Sequence, residues 1–145
     1  MKISLSAGVL LLSAAVLSLE FKEEDPVEKF INQHINEKMD DDGCTEVMKK
    51  RRITDCNGNC KPTNTFIEAK FTSVKHVCRA EGENIGGDNY KSKNKFKIVV
   101  CKGGRGKPPH CEYNSVRYDD RNIVVGCNEK REPVHFVRVL PDESE

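Results

Sequence analysis

The sequence predicts an α+β domain in which three helices precede a set of antiparallel β-strands. The first observation behind this prediction is a change of hydrophobic periodicity, from helical spacing before residue 80 to alternation after residue 95. The second is the presence of seven cysteines in a chain of 145 residues, which is typical of a small exported domain. Such a domain has room for one modest core, and disulfides between its elements help to stabilise it.

Residues 1–19 have the pattern of a secretory signal peptide. A basic residue, Lys2, precedes an apolar run, and small residues lie near the end of that run. A membrane anchor is the alternative interpretation, but the run is at the short limit for crossing a bilayer. We therefore predict that residues 1–19 are cleaved, that residues 20–145 form one domain, and that the protein is secreted.

The first helix is predicted to begin after Asp25, which suits the N-cap, with Pro26 in the first helical position and Glu28 in the first turn. Four apolar residues and one histidine share a face at helical spacing: Val27, Phe30, Ile31, His34 and Ile35. His34 is therefore expected to point inward. A hydrogen-bonded core histidine without a catalytic role is the alternative interpretation.

The remaining elements follow in order along the chain. Further helices are predicted at residues 44–52 and 73–78, and strands at residues 95–101, 111–118, 123–125 and 134–140. The polar residues 81–94 and 102–109 are predicted to be exposed loops. In the last strand, alternation places His135, Val137 and Val139 on one face.

The net charge of +1 conceals an uneven distribution. Residues 20–46 carry a net −7, residues 47–110 a net +10 and residues 111–145 a net −3. A basic middle segment can present a local positive groove to phosphates, because salt screens distant charges more than near ones. Its most concentrated cations are Lys49, Lys50, Arg51 and Arg52, which indicate either a polyanion-binding patch or a solvated helix end that offsets the helix dipole.

Three short motifs contain the candidate catalytic residues. Lys61 follows Cys60 at the start of a predicted strand, His34 lies upstream and His135 lies near the C-terminus. Two imidazoles and one lysine suffice to cleave a phosphodiester by acid and base catalysis without a metal. We therefore predict no metal and no cofactor.

These motifs and the order of the cysteines resemble the pancreatic-type ribonuclease (ribonuclease A) superfamily over residues 29–140. The matching segments read Lys29-Phe30-Ile31-Asn32-Gln33-His34, Cys60-Lys61-Pro62-Thr63-Asn64-Thr65-Phe66 and Pro133-Val134-His135-Phe136. The resemblance implies three helices packed on a long twisted antiparallel sheet.

The same resemblance implies an endoribonuclease that cleaves RNA on the 3′ side of pyrimidines and forms a 2′,3′-cyclic phosphate. His34 would be the base, His135 the acid, and Lys61 the cation that stabilises the transition state. The implied substrate-binding residues are Gln33, Asn64, Thr65 and Phe136. The implied partner is RNA, such as tRNA, rRNA or another single-stranded RNA.

The resemblance also implies three disulfides, whose pairing the spacing alone leaves open: Cys44–Cys101, Cys60–Cys111 and Cys78–Cys127. This is the pattern of the angiogenin-like branch, and it leaves Cys56 over. That residue lies in an Asn/Gly-rich loop, where a free thiol, an intermolecular bridge, a rival partner for a neighbouring cysteine and a zinc ligand are all interpretations. Zinc is the weakest of these, because the chain lacks the usual ligand spacing. We expect a monomer unless Cys56 bridges two chains.

Two features complicate the resemblance. Family members commonly carry an acid directly after the His-Phe pair, whereas this chain has Val137. In addition, the cluster at residues 49–52 lies close to the position of an arginine-rich nuclear-targeting patch in angiogenins. A secreted signalling or antimicrobial protein, in which RNA cleavage is weak or incidental, is therefore the alternative function. Its implied partners are heparin-like polyanions, a cell-surface receptor and a cytosolic ribonuclease inhibitor, with uptake to the nucleus or nucleolus.

Overall fold

The computed structural model describes residues 24–142, so the predicted signal peptide lies outside the described residues. The helices are α1 (Pro26–His34), α2 (Cys44–Lys50) and α3 (Phe71–Lys75), and α3 continues into a 3-10 turn (His76–Cys78). The strands are β1 (Thr63–Ile67), β2 (Gly82–Gly86), β3 (Asn89–Ser92), β4 (Phe96–Lys102), β5 (Asn114–Arg121), β6 (Ile123–Cys127) and β7 (Pro133–Val139). The predicted α+β class and its three helices are confirmed.

Helix α1 begins as its sequence predicts. Asp25 has an extended backbone, and its carboxylate accepts a 2.9 Å hydrogen bond from the backbone N–H of Val27. Phe30 and His34 on the predicted inner face are buried. The N-cap and the apolar stripe together fix which side of α1 faces the sheets.

All strand pairs are antiparallel, as predicted, and the hydrogen bonds divide the long sheet that the resemblance implies into two sheets. The first sheet has the order β1-β4-β5 and the second the order β2-β3-β6-β7. Helix α1 packs against both sheets, contacting β1 in the first and β7 in the second. The C-terminal end of α1 therefore lies where the two sheets meet.

The prediction of an exposed loop at residues 81–94 is wrong, because most of this segment forms the hairpin β2–β3. Its sequence lacks apolar alternation since β2 is almost fully exposed at the edge of its sheet. Gly86 and Gly87 make the turn at positive φ. At the start of the hairpin, a Cβ on Gly82 would overlap the carbonyl oxygen of Val77, so only glycine permits this contact with the 3-10 turn.

Two clusters of buried side chains form the core. One lies between α1, α3 and both sheets and includes Phe30, Ile67 and Ile123. The other lies under α2 and includes Met48 and Phe66. Burial of each such large side chain stabilises the fold by about 1.5–3 kcal/mol.

Three disulfides join the elements, with the pairing that the resemblance implies: Cys44–Cys101, Cys60–Cys111 and Cys78–Cys127. A disulfide of this kind contributes about 2–4 kcal/mol, largely by constraining the unfolded chain. Cys56 is free and exposed. Within residues 24–142 there is no helix of the length and apolar character that crossing a membrane requires.

Strand β7 departs from the predicted alternation. Val124 pairs with Arg138 and Val125 pairs with Phe136, so Val137 is an extra residue in a β-bulge. Consequently Phe136 and Val139 both pack against the core, although strict alternation placed Val139 on the face of His135. Val137 itself is 38% exposed.

Candidate active site

A cavity of about 420 Å³ brings the three predicted catalytic residues together. Helix α1, the start of β7 and Lys61 line it, with the residues Glu24, Pro26, Lys29, Phe30, Gln33, His34, Lys61, Val134, His135 and Phe136. Of the predicted substrate-binding residues, Gln33 and Phe136 also line it. Asn64 and Thr65 lie directly behind the cavity, where they bind Lys61 and His34.

His34 is the last residue of α1, and its ring is held on three sides. Its Nδ1 lies 2.8 Å from the carbonyl oxygen of Thr65. Because a carbonyl can only accept, Nδ1–H donates, and Nε2 is the unprotonated nitrogen of the neutral ring. The rings of Phe30 and Phe136 lie 5.2 Å and 5.4 Å from the imidazole, measured between centroids.

The surroundings of His34 keep it neutral. Burial lowers its pKa from 6.5 to about 4, and the nearby positive charges of Lys61 and His135 act in the same direction. The hydrogen bond to the Thr65 carbonyl raises the pKa, but by less than burial lowers it. At neutral pH the imidazole is therefore ready to accept a proton at Nε2.

The lowered pKa of His34 makes stability depend on pH. The free energy of unfolding is expected to fall as pH decreases from 6.5 to about 4, because His34 stays neutral in the folded protein but is protonated in the unfolded chain. The loss attributable to this residue is about 3 kcal/mol. Urea unfolding at pH 7 and pH 4 measures it, and His34→Gln should remove this part of the pH dependence. An exposed control, His110→Gln, should leave it in place; an unchanged pH dependence in His34→Gln contradicts the prediction.

The ammonium group of Lys61 is anchored beside His34. Its Nζ donates to Oδ1 of Asn64 at 2.9 Å and to Oε1 of Gln33 at 3.3 Å. Partial burial lowers the pKa of Lys61, and repulsion by Lys29 lowers it further. Lys61 thus presents a positioned, partly desolvated cation to the cavity.

Tyr113 supports Lys61 from behind, and nothing in the sequence pointed to it. Its hydroxyl donates a 2.7 Å hydrogen bond to the carbonyl oxygen of Lys61. The loop after β4 passes so close that a Cβ on Gly104 would overlap both the Lys61 carbonyl oxygen and the Tyr113 ring. Because Tyr113 is 52 residues from Lys61, only the folded chain reveals this contact.

Asn64 has a supporting place behind the cleft. It is 2% exposed, and its Nδ2 donates a 2.7 Å hydrogen bond to the carbonyl oxygen of Gln33 near the end of α1. With its Oδ1 bound to Lys61, the side chain connects the cation to the helix that carries His34. Asn64 therefore orients Lys61 and Gln33 from a buried position.

His135 is exposed on β7 and faces the cavity. No side chain in residues 24–142 forms a hydrogen bond with its ring. The neighbouring strand approaches it closely, since a Cβ on Gly126 would lie 3.2 Å from the Cβ of His135. Its ring is thus placed by the strand but not fixed by a hydrogen bond.

The four cations of the predicted patch are not equally exposed. Lys49, Lys50 and Arg52 are exposed, whereas the side chain of Arg51 turns inward against α1. Arg51 is half-buried and its Nη1 is bonded to backbone carbonyls at the end of α1, so the fully exposed cations of this run are Lys49, Lys50 and Arg52.

An α+β fold that joins a buried neutral imidazole, an exposed imidazole and an ammonium group in one cleft places the protein in the class of small disulfide-bonded ribonucleases. Comparison with known proteins agrees: the family model for pancreatic ribonuclease matches residues 25–137, and the chain belongs to the pancreatic ribonuclease family. The three disulfides fit its angiogenin-like branch.

Individual relatives span most of the domain. Angiogenin-1 from Bos taurus is 41% identical over 113 residues, which cover 74% of this chain and 72% of the bovine protein. Pancreatic ribonuclease from Mus musculus is 36% identical over 126 residues, covering 78% of this chain and 80% of the mouse protein. The X-ray structure of zebrafish RNase5 superposes with a TM-score of 0.72 at 33% identity and covers 78% of this chain and 93% of that chain.

Proposed function

We propose that the protein is a secreted, metal-independent endoribonuclease in which His34, Lys61 and His135 carry out the reaction. The observation that carries this proposal is the shared cavity that His34, Lys61 and His135 line, with Nδ1 of His34 bonded to the Thr65 carbonyl so that Nε2 is the nitrogen left to accept a proton. Acid and base catalysis by two imidazoles suits RNA, whose 2′-hydroxyl is an internal nucleophile.

The first step is transphosphorylation. Nε2 of His34 takes the proton of the 2′-hydroxyl as the 2′-oxygen bonds to phosphorus. The bond from phosphorus to the 5′-oxygen breaks, and protonated His135 gives its proton to that departing oxygen. Lys61 stabilises the negative charge that gathers on the phosphoryl oxygens. The products are a 2′,3′-cyclic phosphate and a free 5′-hydroxyl, and slower hydrolysis of the ring exchanges the two histidine roles.

The proposed substrate is single-stranded RNA, including loops of tRNA and rRNA, cleaved on the 3′ side of pyrimidines. Thr65 supports this preference, because its carbonyl holds His34 while its hydroxyl has no hydrogen-bond partner in residues 24–142. A free hydroxyl can donate or accept, as the two pyrimidine edges require. Gln33 and the backbone N–H of Phe136 would bind the phosphate.

The test is to incubate the purified domain with tRNA and with a pyrimidine–purine dinucleotide in the presence of EDTA. We expect a 2′,3′-cyclic phosphate product and no cleavage of the matching DNA, which lacks the 2′-hydroxyl. Loss of activity in EDTA, or a 3′-hydroxyl product, would rule out the proposed chemistry.

Replacing Val137 with aspartate is expected to raise kcat. No side chain of the described residues bonds to the His135 ring, and a carboxylate two residues along β7 can fix its orientation and stabilise the imidazolium. The gain should be roughly tenfold or less, measured on a dinucleotide. Val137→Asn is the matched control, since it offers a similar shape without the charge. An unchanged or lower kcat in Val137→Asp would show that the bulge keeps this side chain from the imidazole.

A second candidate function rests on the exposed cations Lys49, Lys50 and Arg52. We propose that they bind heparin-like polyanions and support uptake towards the nucleus or nucleolus. Replacing all three with alanine should lower the salt concentration that elutes the protein from heparin and should reduce nuclear accumulation. The control replaces three exposed lysines elsewhere, Lys93, Lys95 and Lys97. If both variants lose the same amount of heparin binding and nuclear accumulation, the effect comes from net charge and the proposed patch has no specific role.

A signalling or antimicrobial role, with a cell-surface receptor or a cytosolic ribonuclease inhibitor as partner, is distinguished from a catalytic role by His135→Ala. If cell activity disappears together with RNA cleavage, the enzyme is the effector. If bacterial killing or signalling remains, the surface is the effector and cleavage is incidental.

A further inference from the structure

His34 is the last residue of α1, so its position depends on how the C-terminal turn of this helix is stabilised. The last four carbonyl groups of a helix lack partners within the helix. The carbonyl of Ile31 accepts from the backbone N–H of Ile35 at 3.1 Å, and that of Gln33 accepts from Asn64 at 2.7 Å. The carbonyl of Asn32, between them, needs another partner.

Arg51 supplies that partner from the end of α2. Its Nη1 donates to the carbonyl oxygen of Asn32 at 2.8 Å and to that of Ile35 at 2.6 Å, and it reaches the carbonyl of Ile31 at 3.5 Å. In the opposite direction, Nδ2 of Asn32 donates a 3.2 Å hydrogen bond to the carbonyl oxygen of Arg51. The contact between α1 and the end of α2 is therefore reciprocal.

The guanidinium is also fixed from the side of the sheet. It lies 5.6 Å from the ring centroid of Phe66, which is fully buried. Phe66 follows Thr65 in β1, the residue whose carbonyl orients His34. Arg51 thus contacts both the helix that carries the imidazole and the strand that orients it.

We propose that Arg51 is a positioning residue for His34, an inference that rests on the proposed ribonuclease function. By binding the carbonyls of Asn32 and Ile35, it holds the turn of α1 in which His34 lies and keeps the imidazole seated against Thr65. A lysine would keep the charge, but its ammonium ends one bond short of the Nη1 position and has no planar face to lie on Phe66. The role therefore depends on the guanidinium.

The test compares Arg51→Lys with Arg79→Lys, whose guanidinium also donates to a backbone carbonyl, that of Arg131. On a pyrimidine–purine dinucleotide, Arg51→Lys should lower kcat about tenfold while KM stays within twofold. Arg79→Lys should change neither. A raised KM with unchanged kcat would make Arg51 a substrate-binding cation and overturn the proposal.

The second readout is the NMR titration of the His34 ring, which needs no activity. In Arg51→Lys its pKa should rise from about 4 towards 6.5, because a loosened turn lets water reach the ring while Lys61 and His135 still face it. If the titration is unchanged and only the melting temperature falls, Arg51 is merely structural.

A second variant covers the case in which Arg51→Lys does not fold. Asn32→Ala removes only the hydrogen bond from Asn32 to the Arg51 carbonyl, and it should shift the His34 pKa by a smaller amount in the same direction. Absence of ribonuclease activity in the unmodified protein would defeat the proposed function, and the titration would still decide the role of Arg51.

Discussion

Replacing either His34 or His135 with alanine is expected to lower kcat/KM for RNA cleavage by about 10²–10⁴-fold, the usual contribution of a positioned acid or base. The two losses have different causes. Without His34 no group takes the 2′-hydroxyl proton, and without His135 the 5′-oxygen departs unprotonated. Because both act in one transition state, the double variant should be little worse than either single variant.

The measurement is the steady-state cleavage of a dinucleotide, and the chain provides its own controls. The other two histidines, His76 and His110, are exposed and lie outside the cavity, so their alanine variants should retain full activity. His34→Ala should also remove the acidic limb of the pH profile, which in the unmodified protein is expected near the His34 pKa of about 4. Activity that survives in both His34→Ala and His135→Ala would contradict the proposed mechanism.

Replacing Lys61 with alanine is expected to lower kcat by about 10²–10³-fold, as for other donors aimed at developing charge. Asn64 and Gln33 hold the ammonium group in place before the substrate arrives, so its stabilisation is available in the transition state without rearrangement. Removing this charge should also raise the pKa of His34, since Lys61 lowers it. The acidic limb of the pH profile should then move to higher pH.

Lys29 offers the matched control for Lys61. It lines the same cavity but is exposed, and its side chain has no hydrogen bond to any residue in the part of the chain that the structure describes, so Lys29→Ala should affect KM more than kcat. Lys61→Arg restores the charge with a different shape and should recover part of the activity. If Lys61→Ala raises KM alone, the residue binds the ground state and transition state equally and has no special part in the chemistry.

The sequence predicted those features that depend on neighbouring residues. The N-cap at Asp25 and the inward face with Phe30 and His34 follow from local hydrogen bonding and helical spacing, and the structure has both. The disulfide pairing came from resemblance rather than from spacing. The hairpin β2–β3 escaped prediction because an exposed edge strand lacks an apolar face to reveal it.

The candidate active site likewise has features that the sequence predicted and features that it did not. Residue types and motif contexts led to the prediction of His34, Lys61 and His135, because acid and base chemistry restricts which side chains can serve, and the three residues line one cavity. Their environment could not be inferred in this way: the contacts of Tyr113 with Lys61 and of Arg51 with α1 join residues far apart in the chain. In the run of four cations at residues 49–52, the sequence does not indicate that the side chain of Arg51 turns inward while the other three are exposed to solvent.

By itself, therefore, the sequence determined the class of fold and the helix on which His34 lies, and it predicted which residue types would react. Only the tertiary structure decided that the His34 imidazole is neutral and that Asn64 and Gln33 hold the Lys61 ammonium group. It also decided that Val137 lies in a bulge and that the Arg51 side chain turns inward. The physical reason is that burial, desolvation and hydrogen bonds across the sheets are set by neighbours in space. Those neighbours come from helices, strands and loops that meet only when the chain folds.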